Sequence, residues 1–369
     1  MRNENNSFIK VSKLVIANIL FTFLFLIISD IFLRLINDAP LQLINFINND
    51  LNKNSLNANV RYDSLLGWVP KSNQSNKRFN TSKDGIRHTD YHSINNNTIL
   101  TVGDSFTWGA EVKDNETWPY HLQKISGFNV LNGGVGAYGA DQIILRAEQL
   151  YKIYKPNYVI LSISEESIAQ VSFMSYNGYS KPYFIDEDGQ ITLKNQPVPL
   201  KSEILNKNFH TTFNNIAGYF YMYSLIYKKI DPTFENYSTL KEVKNDNDFI
   251  TCRLIVNLQN ELNLKKELFI FIQQNAQINQ NKKAPLKTEK LKQCLSKNDI
   301  EYLDELNMMK KIVETDINYF LGLYTRSLNG KAIGHLSNEG NKKVAEFIYL
   351  NYINKILKGG NHEKLFEKN

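Results

Sequence analysis

The sequence has few cysteines and no concentrated positive charge. Only Cys252 and Cys294 occur in 369 residues, with no CxxC pair and no Cys/His cluster, so no structural zinc site is expected. One disulfide is conceivable in an oxidising compartment, but two buried free thiols are the expectation. The net charge of +6 comes from scattered lysines, whereas nucleic-acid binders more often carry a basic stripe. We expect no nucleic-acid partner, and neither a metal nor a cofactor is implied.

One long apolar run stands near the N-terminus. Asn18 and Asp30 interrupt residues 14–36, and Asp30 is near enough to the far end to reach the interface. A helix of this length can cross a hydrocarbon core of roughly 30 Å. Three basic residues and one acid precede the run, so the N-terminus is expected in the cytoplasm. No small-residue cleavage site follows, which favours an uncleaved anchor over a signal peptide.

The predicted organisation is therefore that of a single-pass cell-membrane protein. A cytoplasmic tail at 1–13 and a transmembrane anchor at 14–36 are followed by a periplasmic or extracellular globular domain. Residues 37–96 are Asn-rich at first and then carry turn signals and isolated aromatics. They predict a juxtamembrane linker and an irregular lead-in to the domain.

From residue 97 onward, short apolar runs alternate with amphipathic segments. Strands are predicted at 98–102, 129–131, 158–163, 267–272 and 300–303, and helices at 117–125, 141–154 and 339–357. This alternation predicts an α/β fold whose parallel sheet of about five strands is covered by helices on both faces. A long insertion at about 164–266 interrupts the pattern. It is rich in aromatic residues and is a candidate for substrate choice.

Ser105 follows the first predicted strand, within VGDSFT at 102–107. At the carboxyl edge of a parallel sheet, its hydroxyl and its own backbone N–H would face the same space. A nucleophile that also helps to hold an oxyanion needs this arrangement. The plain alternative is a strand-to-helix turn in which the serine is only a cap.

Three blocks of the sequence resemble those of the SGNH/GDSL hydrolase superfamily, in that family's order. They are GDSFT at 103–107, NGGVGAYGADQ at 132–142 and GHLSNEGN at 334–341. The segments YDSLLGWVP, DGIR and KPYF further resemble a membrane-anchored bacterial branch. The resemblance implies a flavodoxin-like three-layer α/β/α domain over 97–360. It also implies Ser105 as the nucleophile and His335 as the general base that accepts its proton.

Three positions depart from the family's pattern. Ala332 stands where an aspartate usually orients the histidine. Ala137 corresponds to a glycine that lends an N–H to the oxyanion, and Glu166 to an asparagine that donates to it. Because a carboxylate cannot donate, Glu166 allows three functional interpretations: an acid that aligns His335 from another loop, a protonated donor in a dry site, or a sign of a degenerate site. The plain alternative is that Glu165 and Glu166 are solvated loop residues.

Two functions are compatible with these residues. The first is an extracytoplasmic serine esterase or O-acyltransferase that acts, through an acyl-Ser105 intermediate, on acyl (in the first instance acetyl) esters of cell-surface glycans. The second is a catalytically degenerate glycan-binding or scaffold protein anchored in the membrane. The choice between esterase and transferase and the oligomeric state stay open. The enzyme hypothesis requires Ser105 and His335 to meet at one edge of the sheet.

Overall fold

A computed structural model of the protein describes residues 2–37, 39, 41, 59–90, 97–176, 179–199, 216–230, 247–281, 283–326 and 332–358. The chain divides into two units. One comprises Met1–Ser55 and Lys201–Thr239, and the other comprises Leu56–Leu200 and Leu240–Asn369. Parts of the predicted linker (42–58 and 91–96) and of the predicted insertion (200–215 and 231–246) lie outside the described residues.

Helices and strands are numbered here in chain order. The helices are α1 (Arg2–Ile36), α2 (Ser105–Trp108), α3 (Trp118–Ser126), α4 (Ala140–Tyr154), α5 (Glu165–Ala169), α6 (Tyr221–Ile230), α7 (Asn247–Glu261), α8 (Ala276–Asn281), α9 (Leu286–Lys297), α10 (Leu306–Thr315), α11 (Ile317–Gly322) and α12 (Asn338–Ile348). The strands are β1 (Val60–Asp63), β2 (Gly67–Pro70), β3 (Thr98–Val102), β4 (Asn129–Asn132), β5 (Tyr158–Ile163), β6 (Ser175–Tyr176), β7 (Tyr179–Ser180), β8 (Tyr183–Glu187), β9 (Gln190–Lys194), β10 (Leu268–Ile272), β11 (Tyr302–Asp304), β12 (Tyr324–Arg326) and β13 (Ala332–Leu336).

The central sheet has five strands in the spatial order β4-β3-β5-β10-β11, and each neighbouring pair is parallel. Counted along the chain this is the order 2-1-3-4-5 of flavodoxin-like folds, as predicted. The last strand begins at Tyr302 rather than at the predicted residue 300. The Ile300 N–H donates a hydrogen bond to the Leu295 carbonyl at 3.0 Å, so Ile300 belongs to the turn that ends α9 and not to the strand.

Two apolar clusters lie on opposite faces of the sheet, because successive side chains of a strand point to opposite sides. Leu100 and Val102 pack in one cluster with α4, α7 and α9. Ile99 and Ile160 pack in the other with α3, α10 and α12. The predicted three-layer α/β/α architecture is confirmed, and it places the carboxyl ends of all five strands at one edge.

Cys252 and Cys294 form a disulfide bond between α7 and α9. The expectation of two free thiols was therefore wrong. Both helices cover the same face of the sheet side by side, which brings the two Cα atoms to 6.2 Å. That separation is within the normal range for a disulfide.

The lead-in to the domain is more regular than predicted. Strands β1 and β2 form an antiparallel hairpin, and β2 is fully buried. The Asp63 side chain accepts the backbone N–H groups of Leu65 and Leu66 at 3.0 and 2.8 Å, which builds the turn between the strands. Four-residue strands are too short to show an alternation pattern, so the sequence revealed only their turn.

A fully buried ion pair ties the insertion to α4. The Lys181 ammonium contacts the Asp141 carboxylate, and neither side chain is exposed. The same ammonium also donates to the carbonyls of Gln170, Phe173 and Pro182 at 3.1, 3.2 and 2.9 Å. These bonds fasten the chain around β6 and β7 to the first turn of α4.

We expect Lys181→Met to lower the free energy of unfolding by about 3–5 kcal/mol, because it leaves the Asp141 carboxylate buried and unpaired. The double variant Lys181→Met/Asp141→Leu should recover most of that loss, since it removes both charges. Lys152→Met, which breaks an exposed pair with Glu148, is the matched control and should change little. Denaturant unfolding of the full chain in detergent measures all three. A double variant no more stable than the single one would contradict the assignment.

In the other unit, α1 is long and apolar enough over Val11–Ile36 to cross a membrane. The helix begins at Arg2, earlier than the predicted span, because residues 2–13 contain neither glycine nor proline to stop it. Asp30 is 5% exposed and pairs with Arg34 at 2.8 Å.

Candidate active site

Ser105 is the first residue of α2, a single helical turn that follows β3 directly. The Asp104 side chain caps this turn by accepting the Phe106 N–H at 2.9 Å, and it also accepts the Ser164 hydroxyl at 2.9 Å. Burial raises the pKa of Asp104 to about 6. The cap fixes Ser105 at the carboxyl end of the sheet, beside the loop that follows β5.

Close packing around α2 requires two glycines. A Cβ on Gly103 would lie 2.1 Å from Thr107 Oγ1, and a Cβ on Gly134 would lie 2.4 Å from the Trp108 nitrogen. Neither distance is sterically possible without movement of the chain. The first and second sequence blocks therefore meet at α2, and their glycines let the backbones approach.

The structure brings His335 to Ser105 across 230 positions of sequence. His335 Nε2 lies 2.8 Å from Ser105 Oγ, and the imidazole packs against Phe106 with ring centroids 5.2 Å apart. Strand β13 pairs with β12 and so sets the position of the histidine just before α12, which Ser337 caps. The hydroxyl and the imidazole are thus in hydrogen-bond contact.

Glu111, a residue that the sequence did not single out, faces the other side of the imidazole. Its Oε1 lies 3.2 Å from His335 Nδ1, and its Oε2 accepts the Thr325 hydroxyl from β12. An Nδ1 proton held by Glu111 leaves Nε2 free to accept from Ser105. The acid comes from the loop after α2, not from the segment before His335, of which residues 327–331 lie outside the described residues.

The local environment keeps Glu111 ionised at neutral pH. Partial burial alone would raise its pKa, but hydrogen bonds from Thr325 and His335, together with the charge of a protonated His335, outweigh that effect and lower the pKa. The backbone of Glu111 has φ of 74°, a left-handed conformation that costs a non-glycine residue about 1–3 kcal/mol. Contacts from another segment must therefore hold the Glu111 backbone in this conformation.

Arg87, the last residue of the DGIR segment, holds the Glu111 loop. Its buried guanidinium donates to the carbonyls of Trp108, Gly109 and Val112 at 2.6, 2.6 and 2.7 Å. It also pairs with Asp114 at 2.7 Å. These partners flank Glu111 on both sides. The DGIR segment is therefore the sequence signal connected with this loop.

The structure does not support either of the two catalytic roles suggested for Glu166, that of the acid that aligns His335 and that of an oxyanion donor in a dry site. Glu111, not Glu166, lies against His335 Nδ1, so the idea of Glu166 as the orienting acid was wrong. Glu166 also does not lie in a dry site, because the side chain is solvent-exposed and accepts the Tyr176 hydroxyl at 2.7 Å. Its place at the start of α5 does put it on the wall of the cavity beside Ser105.

Ala137 lies on the wall of the same cavity with φ of 65°. Within the described ranges, neither its backbone N–H nor that of Ser105 has an acceptor. These two groups are the candidate donors to an oxyanion. Ala137 therefore has a left-handed backbone, a conformation that glycine adopts more readily than alanine.

The cavity that contains Ser105 and His335 has a volume of about 480 Å³. Asn275, Ala276 and Gln277, at the start of α8, form its far wall. Behind that wall the buried Glu305 carboxyl accepts from the Gln274 nitrogen at 2.7 Å and from Asn279 Nδ2 at 2.8 Å. Burial raises the pKa of Glu305 to about 8, so this carboxyl is mostly neutral at pH 7. Among the described residues, no three His, Cys, Asp or Glu side chains form a metal-ligand set.

Comparisons with known proteins were made on sequence and on structure. No protein-family model matches the sequence, and no curated protein matches it. Among solved structures, a lipolytic protein of the G-D-S-L family from Desulfitobacterium hafniense DCB-2 is 15% identical, with 68% of this chain and 97% of that one covered and a TM-score of 0.35. A G-D-S-L family protein from Veillonella parvula DSM 2008 is 11% identical, with 69% and 97% covered and a TM-score of 0.38.

A lipase/acylhydrolase from Enterococcus faecalis is also similar, at 11% identity, with 70% of this chain and 96% of that one covered and a TM-score of 0.38. Likenesses of this degree say nothing about chemistry, so the residues of this chain must carry the functional argument. Its strand order 2-1-3-4-5, with Ser105 after the first strand of the sheet and His335 before the last helix, is the flavodoxin-like arrangement that the resemblance of the three sequence blocks implied.

Proposed function

We propose that this protein is a membrane-anchored serine esterase or O-acyltransferase. The observation that carries the proposal is the contact of 2.8 Å between Ser105 Oγ and His335 Nε2, with the Glu111 carboxylate on the opposite ring nitrogen. A serine hydroxyl is a weak nucleophile at neutral pH unless a base accepts its proton. The two contacts support His335 as this base and Glu111 as the acid that fixes its tautomer.

The reaction would proceed in two halves. Ser105 Oγ attacks the ester carbonyl while its proton passes to His335 Nε2, and Glu111 stabilises the imidazolium. The oxyanion forms beside the backbone N–H groups of Ser105 and Ala137. Collapse expels the alcohol, which takes the proton from His335, and leaves acyl-Ser105. Water then releases the acid, or a second hydroxyl accepts the acyl group, by the same steps in reverse.

The substrate class proposed is an acyl ester, in the first instance an acetyl ester, of cell-surface glycans, as the family resemblance implies. Residues 1–13 would be cytoplasmic, α1 would cross the membrane within 14–36, and the domain over 97–360 with its insertion at 164–266 would be periplasmic or extracellular. The disulfide between Cys252 and Cys294 supports this side of the membrane, because disulfides persist in oxidising compartments.

One observation favours a second candidate, a degenerate glycan-binding or scaffold protein. Glu166 lines the cavity where the family has an amide that donates to the oxyanion, so that donor is missing. Losing one such donor typically costs about 10²–10³ in rate. The proposal of an enzyme therefore predicts slow turnover, and the alternative predicts none.

A serine-directed fluorophosphonate separates the two candidates. The full chain in detergent should be labelled, Ser105→Ala should not be, and Ser126→Ala, a serine at the end of α3, should be labelled like the wild type. Hydrolysis of small aryl acetates should follow the same order. An unlabelled wild type, with glycan binding equal in wild type and Ser105→Ala, would establish the second candidate instead.

A further inference from the structure

The helix α6 and the turn before it belong to the aromatic-rich insertion, and they are bonded to the last turns of α1. The Met222 N–H donates to Asp30 Oδ1 at 2.9 Å, so Asp30 caps the first turn of α6. Arg34, which pairs with Asp30 at 2.8 Å, donates from Nη2 to the Tyr219 carbonyl at 2.7 Å. Asp30 and Arg34 are only 5% and 6% exposed.

The depth of these contacts follows from the geometry of α1. Lys13 is the last cation before the apolar run, and a helix rises about 1.5 Å per residue. Asp30 then lies about 26 Å along the axis from Lys13, and Arg34 about 31 Å. A hydrocarbon core is roughly 30 Å thick, so both charged groups lie at its outer boundary. Charges at that depth are costly unless paired.

The side chains of this segment suit the same boundary. Ile216, Tyr219 and Ile226 are 63%, 41% and 47% exposed, while Ser224 is buried. Tyr221, Tyr223 and Tyr227 add aromatic rings, and Lys229 is exposed near the end of α6. Tyrosines concentrate where a bilayer meets water, because their rings are apolar and their hydroxyls are polar.

We propose that residues 216–230 form a membrane-surface segment, in which α6 lies in the outer interface of the bilayer with Ile216, Tyr219 and Ile226 against lipid. The inference rests on the membrane anchoring included in the proposed function. Because Asp30 bonds the first turn of α6, the depth of α1 sets the depth of α6. Residues 216–230 of the insertion then face lipid rather than substrate. Asp30 and Arg34 are the ion pair that holds this segment against α1.

Site-directed fluorescence in nanodiscs of phosphatidylcholine tests the proposal. The full chain would carry the environment-sensitive dye NBD on one introduced cysteine, and the native disulfide would stay oxidised. Ile226→Cys reports on α6, and Leu20→Cys within α1 is the lipid-exposed reference. Ile153→Cys on α4, an exposed isoleucine of the other unit, is the aqueous reference. Brominated phosphatidylcholine quenches dyes in lipid, and iodide quenches dyes in water.

We expect position 226 to be quenched by brominated lipid several-fold more than position 153, and to be protected from iodide. Adding Asp30→Ala should raise iodide quenching at 226 and leave the lipid quenching at position 20 unchanged. If the dye at 226 is quenched like the dye at 153 while the dye at position 20 is quenched by brominated lipid, the placement of α6 at the membrane is overturned. The membrane anchor then still stands. Loss of lipid quenching at position 20 as well overturns the membrane anchor and, with it, this inference.

Discussion

Replacing His335 by glutamine is expected to lower kcat for ester cleavage by roughly 10⁴–10⁶-fold. Glutamine keeps a polar group near Ser105 but cannot accept and return a proton at neutral pH. His335 Nε2, the proposed base, lies 2.8 Å from Ser105 Oγ. The measurement is kcat on an aryl acetate with the full chain in detergent, together with the rate of fluorophosphonate labelling, which should fall in parallel.

The matched control for this variant is His88→Gln, because His88 is an exposed histidine on the segment before β3. It should leave kcat unchanged. Activity in His335→Gln within tenfold of the wild type would contradict the role proposed for the imidazole. Equal losses in both variants would point to a general loss of folded protein, which unfolding curves detect separately.

The structural features that the sequence predicted well are those determined by residues that are close together in the chain. The run at 158–163 matches β5 in full, because a buried parallel strand is continuously apolar. Ser105 and His335 each lie within a short block whose glycines and capping residues define the local turn. The fold class places Ser105 at the carboxyl end of β3, where a parallel sheet gathers its strand ends, whereas His335 reaches it from β13, which belongs to a separate antiparallel pair with β12.

The features that the sequence did not reveal depend on contacts between distant segments. Glu111 looks like an ordinary loop glutamate until Arg87 fixes the loop and the β12–β13 hairpin brings Thr325 and His335 to it. The Cys252–Cys294 bond depends on the packing of α7 against α9. Glu111 lies more than two hundred residues from His335 in sequence, so the residues next to His335 could not reveal it.

Replacing Glu111 by glutamine is expected to lower kcat by about 10²–10⁴-fold with little change in KM. A carboxylate accepts the Nδ1 proton and stabilises the imidazolium, whereas a glutamine amide can donate to Nδ1 and hold the wrong tautomer. The Glu111 side chain is 43% exposed, so water can replace part of its interaction with His335 Nδ1. We therefore expect a loss of kcat closer to about 10²-fold than to about 10⁴-fold. Glu111→Ala should therefore lose less activity than Glu111→Gln, because water can then accept from Nδ1.

Glu166→Gln is the matched control, since it makes the same change on the opposite wall of the cavity. Glu166 touches Tyr176 and not His335, so its neutralisation should not lower kcat. It is expected to raise kcat instead, because it removes a negative charge beside the developing oxyanion and restores an amide that can donate to it. A loss in Glu166→Gln that matches the loss in Glu111→Gln would transfer the acid's role to Glu166. A rise of kcat in Glu166→Gln together with a fall in Glu111→Gln would show that the two carboxylates have opposite electrostatic effects in one cavity. Glu111 would then stabilise the imidazolium, and Glu166 would oppose the oxyanion.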